Sequence, residues 1–328
     1  MHKRFHRSAG FSLPRVALAL VALVLLYGVG NAAYQSHLTR QAARTDRSPQ
    51  RSAAQLASGS QYVAMGDSYS AGGGADRTPD QPKIDVSAYD TSTKCWRSKN
   101  AAQYLVAKNL GLELVDASCG GAVTDNLLNI EQEGIPPQLS NVTSETKLVT
   151  MTIGGNDTAL LYALNCIQTS DCADNALMTT LMNLRILGLP AKLEAVYAAI
   201  TSKAPHAKIR HAGYPLIISP PGEPAGTCSA WLTGREAETF HTLLTATNDK
   251  IKETVARFAE AHGTDIAYVD PLANGSPFMA RDEGQLLDGC SASAKRYMNG
   301  PLDGAEGGWH PNIHGQRMYA DLYEASLR

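Results

Sequence analysis

The 328 residues contain no Gly-x-Ser-x-Gly, no Gly-x-x-x-x-Gly-Lys, no Cys-x-x-Cys and no His-Glu-x-x-His. The first absence counts against the nucleophile elbow of the common α/β-hydrolase fold, because Ser70 stands where a second glycine would follow Ser68. The second removes a phosphate-binding loop, and the other two remove familiar metal and redox signatures. Charge is sparse: 18% of residues are Asp, Glu, Lys or Arg, and 29 bases against 31 acids exclude an overall polycation built for nucleic acid. Internal repeats are also missing. With 44% hydrophobic residues, the chain is too apolar to be disordered over most of its length, and it is long enough for one α/β domain with an extension.

The few charges are unevenly spread. Residues 1–60 hold eight Lys and Arg against Asp46 alone, leaving 21 bases and 30 acids in residues 61–328. That excess of acid disfavours nucleic acid as a partner at long range. Lys3, Arg4, Arg7 and Arg15 precede an apolar run from Val16 to Gly30, and no charged side chain returns before Arg40. The run is shorter than the roughly 20 residues that span a bilayer comfortably, and Gly30-Asn31-Ala32 offers small residues for cleavage, so it reads as an export signal. The competing reading is an uncleaved membrane tether through residues 16–30, with Tyr27 and Tyr34 at the interface. Residues 1–33 are thus signal or anchor, 34–60 a polar linker rich in Arg, Ser, Gln and Ala, and 61–328 the folded domain. Either way that domain is expected to be secreted, or held at the outer face of the cytoplasmic membrane.

Six cysteines, Cys95, Cys119, Cys166, Cys172, Cys228 and Cys290, all fall in the exported part. Three disulfides are the economical reading, against the competing one that some are free buried thiols. Of about fifteen connectivities, sequential pairing (95–119, 166–172, 228–290) is expected, because it staples three local loops.

Short β-rich runs at Tyr62–Met65, Leu112–Val115, Leu148–Ile153, Lys208–Ala212 and Ile266–Val269 are each separated by enough chain for a helix. Helical spacing of apolar residues marks Asn100–Leu110, Leu189–Ser202, Arg235–His262 and Ile313–Leu327. Alternation of this kind predicts a three-layer α/β/α sandwich around a parallel sheet of about five strands. In such sheets ligands bind beyond the carboxyl ends of the strands.

Residues of chemical interest stand at those ends. After the first run comes Gly66-Asp67-Ser68-Tyr69-Ser70, where Ser68 could supply both a hydroxyl nucleophile and a free backbone N–H. Asp67 reads as a turn-holding residue rather than a catalytic acid. Ser118-Cys119-Gly120-Gly121-Ala122 follows the second run and offers an accessible glycine N–H. Gly154-Gly155-Asn156-Asp157 follows the third and offers an amide donor. Trp309-His310-Pro311-Asn312-Ile313-His314 stands near the end, with Pro311 suited to a first helical turn. Taken singly, Ser68 is a helix cap and Asn156 a turn former. His310 and His314 are four apart, as zinc ligands can be, but lack the accompanying glutamate.

In this order and spacing the four blocks resemble the SGNH hydrolases, or GDSL esterases and lipases, over essentially all of residues 61–328. The closest likeness is to secreted actinobacterial members with three disulfides. The resemblance implies a flavodoxin-like fold, a carboxylesterase or lipase without a cofactor, and a lipid or other small ester as substrate. It further implies Ser68 as nucleophile, His310 as general base, and an oxyanion hole from Ser68 N–H, Gly121 N–H and the Asn156 side chain. An acetyl esterase or O-acyltransferase on cell-envelope polysaccharide is the alternative activity, an inactive disulfide-braced binding module the non-enzymatic one, and a monomer is expected. Two departures stand out. Tyr69 replaces the usual leucine, a change common in the secreted subgroup. Gly307 occupies the place of the aspartate that usually precedes the catalytic histidine by three residues. The Gly307 carbonyl is therefore expected to orient His310, with Glu306 or Asp303 as substitute carboxylates. Without a negative charge beside the imidazole, a modestly slower or more alkaline-shifted enzyme is expected.

Overall fold

The computed structural model describes Leu56, Gly59 and residues 61–76, 89–90, 92–169, 175–301 and 308–328. The signal or anchor, most of the linker, and Cys172, Asp303, Glu306 and Gly307 lie outside the described residues.

Five strands form one sheet: β1 (Gln61–Gly66), β2 (Glu113–Asp116), β3 (Thr146–Thr152), β4 (Lys208–Ala212) and β5 (Ile266–Val269). Their order is β2-β1-β3-β4-β5, and all pairs are parallel. Val63 pairs with Val115 on one side and Val149 on the other, so β1 is flanked by both of the strands that follow it. The central strands are buried almost throughout, as strands covered on both faces must be. β4 is the exception in composition, carrying Lys208, Arg210 and His211 inside the protein. Lys208 and Arg210 both reach Asp265, at 2.8 Å, and Arg210 also donates to the Ser326 carbonyl. His211 lies between the Tyr197 hydroxyl (2.6 Å) and the Ile153 carbonyl (3.1 Å). Each of these three buried β4 side chains therefore has the partner that its desolvation requires.

The helices are α1 (Ser68–Ala71), α2 (Ala102–Leu110), α3 (Thr124–Leu128), α4 (Leu160–Thr169), α5 (Ala176–Lys203), α6 (Gly234–His262) and α7 (Ile313–Ala325). α2 packs with α7, and α5 with α6. Arg210 bonds to the end of α7 while its neighbour His211 bonds to α5. Successive residues of a strand point to opposite faces, so the two helix pairs cover the two faces of the sheet. The ends of α6 follow from local chemistry: Thr233 and Glu236 form a capping box, and Gly263 closes the helix at φ 60°. A small hairpin, β6 (Arg281–Asp282) with β7 (Gln285–Leu286), lies outside the main sheet.

All five strands agree with the sequence pattern to within two residues. The helices agree less well. α5 begins at Ala176, capped by the Asn175 side chain, and runs through Pro190, whereas the spacing predicted a start at Leu189. Leu, Met and Ala on both sides of the proline favour helix strongly enough to carry it through. α4 was not marked by the spacing. Among the described residues no helix is long and apolar enough to cross a membrane.

Cys95–Cys119 and Cys228–Cys290 are disulfides, as expected from sequential pairing. Cys166 is also disulfide-bonded, and no described cysteine is free.

Candidate active site

The strand order reverses between β1 and β3, and the crevice outside their carboxyl ends is where this topology binds ligands. Ser68 lies there as the first residue of α1, just past the Asp67 cap. The turn requires glycine at 66: φ is +119°, and a Cβ would stand 2.2 Å from the Thr152 carbonyl oxygen. The close approach welds the end of β1 to the end of β3. Asp67 N–H donates to the same carbonyl (2.9 Å), Thr152 N–H donates to Ser70 Oγ (2.8 Å), and Gln138 bridges both backbone polar groups of Gly66.

Ser68 Oγ and His310 Nε2 are 2.7 Å apart, although 242 residues separate them. On its other side, His310 Nδ1 donates to the Gly308 carbonyl at 2.8 Å. A carbonyl can only accept, so the proton belongs on Nδ1 and the bare Nε2 faces the serine hydroxyl. The accepting carbonyl is that of Gly308, one residue beyond the expected Gly307. Trp309 between them adopts φ +63°, and this left-handed turn brings the Gly308 oxygen back under the ring. Nor is Pro311 in the first helical turn: α7 starts at Ile313, and Asn312 is its cap, accepting from His314 and Gly315 N–H.

The oxyanion candidates differ in how they are tied. Gly120 is committed, its N–H to the Cys95 carbonyl and its C=O to the Gln132 amide. Gly121, at φ +79°, has an N–H without a partner among the described residues, and so does Ser68. The sequence left Gly120 and Gly121 ambiguous, and only Gly121 keeps a donor free. Asn156 Nδ2 gives one hydrogen to the Ala122 carbonyl (3.0 Å) and retains a second. Cys119 N–H bonds to Gly66 O, so the Gly120-Gly121 turn is fixed at both ends, and the 95–119 disulfide braces it. Asp157, next to Asn156, is buried against Thr124 and Lys192. Ser68 and Asn156 share an open cleft with about 230 Å³ of empty space, lined also by Leu160, Leu161, Tyr214 and Ile217.

Two residues gain importance that the sequence did not signal. The Tyr214 hydroxyl donates to Asp67 Oδ2 (2.5 Å) and accepts from Gly155 N–H (2.8 Å), linking the Ser68 turn to the Asn156 turn. Burial pushes the Asp67 carboxyl up to about 6, against the hydrogen bonds from Tyr214, Tyr69 and Thr152. The Tyr69 hydroxyl donates to the Trp309 carbonyl at 2.7 Å, and its ring lies 5.2 Å from that of His310. The tyrosine that departs from the usual leucine thus ties the serine turn to the histidine loop. Tyr69→Phe removes this buried bond, which costs about 0.5–1.5 kcal/mol of stability. It should also lower kcat while leaving KM unchanged. A thermal melt beside ester kinetics checks this, and an unaltered kcat would reduce Tyr69 to a purely structural tie.

Burial lowers the His310 pKa from its ordinary 6.5, opposed by the bond to the Gly308 carbonyl. This direction overturns the expected alkaline shift: a neighbouring carboxylate would raise an imidazole pKa, so its absence and the burial of the ring both act downward, and the carbonyl opposes them only in part. A general base at His310 would work only when neutral, with activity retained above its pKa and lost as pH falls through it. The acid limb of a kcat/KM profile is therefore expected below pH 6.5, in a range where Asp67 also takes up its proton. An acid limb above 6.5 would instead indicate a carboxylate beside the ring.

A model of the GDSL-like lipase/acylhydrolase family matches residues 64–318. Lipase 1 of Streptomyces coelicolor is 32% identical over 235 residues, 69% of this chain and 78% of that one. Lipase 2 of the same organism is 28% identical over 320 residues, 94% of this chain and 97% of its own. Among solved structures, phospholipase A1 from Streptomyces albidoflavus superposes with a TM-score of 0.63 at 26% identity, covering 82% of this chain and 100% of that one. An extracellular lipase from Streptomyces rimosus gives 0.62 at 27% identity over 81% of this chain and 99% of that one. The family match, which extends from β1 into α7, makes this chain a member of the GDSL-like lipase/acylhydrolase family, and with it a carboxylic ester hydrolase.

Proposed function

We propose that this chain is an exported serine esterase acting on lipid esters, and the observation that carries the reading is the Ser68–His310–Gly308 chain of hydrogen bonds at the switch point of the sheet. Ser68 Oγ attacks the ester carbonyl carbon as its proton passes to His310 Nε2. The carbonyl electron pair moves to oxygen, which Ser68 N–H, Gly121 N–H and the second Asn156 amide hydrogen stabilise. Collapse of the tetrahedral intermediate expels the alcohol, which takes the proton from His310. Water then repeats the sequence on the acyl-enzyme, with His310 again as base, and releases the acid.

In this account Gly308 takes over the orienting part of an aspartate but not its charge. Leu160, Leu161 and Ile217 give the cleft an apolar wall suited to an acyl chain. The relatives named as lipases and a phospholipase favour a lipid ester in the same way. Export agrees with the basic, then apolar, start of the chain and with its oxidised cysteines. All of the proposed machinery comes from one chain, so a monomer suffices for the reaction, whether released or tethered through residues 16–30.

Hydrolysis of p-nitrophenyl esters from acetate to palmitate by the oxidised protein tests the substrate class. An optimum at medium or long chains is expected. Turnover confined to acetate would instead favour deacetylation of polysaccharide.

A further inference from the structure

The first half of α5 carries large apolar side chains on two opposite sides, with Thr179, Thr180, Asn183 and Arg185 between them. Met178, Met182, Ile186 and Leu189 follow helical spacing into the core. On the opposite side, Leu177, Leu181, Leu184 and Leu187 repeat the same spacing and are 69%, 51%, 46% and 68% exposed. A soluble helix normally turns one apolar stripe to the core and leaves the other side polar, so the exposed outer leucine stripe is a second apolar face, left uncovered among the described residues. The stripe spans about 15 Å at the α-helical rise.

Its position relates it to the cleft. Leu189, in the buried row of the same helix, would meet a Cβ on Gly154 at 3.2 Å, so this stretch of α5 packs beside the Asn156 turn. The remaining large apolar side chains that stand exposed among the described residues are Tyr162, Trp96 and Ile130. Tyr162 follows the cleft-lining Leu160 and Leu161 on α4. Trp96 lies 3.7 Å from where a Gly120 Cβ would stand, and Ile130 is two residues from the Gln132 that holds Gly120. All seven belong to segments that leave the carboxyl ends of β1, β2 or β3, the three strands that carry the site. None belongs to α2, α6 or α7.

Charge separates this face from the rest. The domain carries 30 acids against 21 bases, yet residues 176–193 contain no Asp or Glu, and their charged residues are Arg185 and Lys192. An apolar stripe without carboxylates, on an otherwise acidic domain, is suited to phospholipid headgroups and the acyl chains below them.

We infer that the outer face of α5, together with the exposed Tyr162 of α4, docks on the surface of a phospholipid aggregate and brings the cleft mouth to the lipid. The inference rests on the proposed lipid esterase activity and adds a binding surface distinct from the catalytic groups. Docking removes the leucines from water without closing the cleft over a water-soluble ester, so the two substrate types should respond differently to changes on this face.

The test uses the full chain with vesicles of phosphatidylcholine and phosphatidylglycerol. In Leu181→Trp, brominated phosphatidylcholine should quench fluorescence beyond the level seen with the native tryptophans. In Leu177→Asp/Leu181→Asp/Leu184→Asp, hydrolysis of vesicle substrate should fall at least tenfold while p-nitrophenyl butyrate turnover stays within twofold. The substituted side chains are already solvated, so folding should survive. No added quenching at position 181, together with unchanged vesicle hydrolysis, would overturn the docking face. So would a native dimer that the triple substitution converts to monomer, since a second copy would then cover the leucines. Failure of the native protein on soluble and vesicle esters, with quenching at 181 intact, would sink the esterase reading and leave the surface standing.

Discussion

Replacing Ser68 by alanine should lower kcat/KM for p-nitrophenyl esters by about 10⁴-fold or more, the scale expected when an attacking hydroxyl is removed. Folding should be nearly untouched. Ser68 is part-buried at the start of α1, and its hydroxyl is bonded to His310 rather than to the turn, which Asp67, Ser70 and Gln138 hold. Stability should change by no more than about 0.5 kcal/mol. His310→Gln should cost a comparable amount, and the double variant should lose little more, because groups that act as one unit are not additive. Steady-state kinetics and a thermal melt on the three variants check this. A Ser68→Ala enzyme that kept several per cent of its activity would move the nucleophile elsewhere.

Asn156→Ala carries the second large effect, a loss of about 10² to 10³ in kcat with KM little changed. The reason is the division of labour within the side-chain amide. One hydrogen goes to the Ala122 carbonyl and fixes the direction of the group, leaving the other to meet charge that appears only in the transition state. If Asn156 were merely a turn former, its replacement would lower the melting temperature and leave kcat intact. Measuring both quantities on the same preparation distinguishes the two.

Much of this arrangement is legible in the sequence because each reactive block directly follows a strand. β1, β2 and β3 are short apolar runs with few competing readings, and locating their ends locates Ser68, Gly121 and Asn156. Other features depend on contacts that no local pattern encodes. The bond from Tyr69 to Trp309 joins residues 240 positions apart, and Tyr214 reaches Asp67 across 147. The change of acceptor from Gly307 to Gly308 depends on a positive φ at Trp309, a conformation that a tryptophan gives no reason to expect. The first half of α5 escapes the sequence pattern because leucines and methionines stand on two opposite sides of it, which blurs the contrast from which helical periodicity is read. The expected alkaline shift of His310 has the wrong sign, because the loss of a neighbouring carboxylate lowers an imidazole pKa, as burial of the ring also does.

The central claim is that Ser68 is a nucleophile activated by a histidine that a backbone carbonyl orients. Its most direct test is the site of covalent capture by a fluorophosphonate on the folded, oxidised protein. One adduct per chain is expected, on the peptide that contains Ser68, formed together with loss of esterase activity and slowed as pH falls through the His310 pKa. Full inactivation with Ser68 unmodified, or unimpaired ester hydrolysis by protein labelled at Ser68, would contradict it.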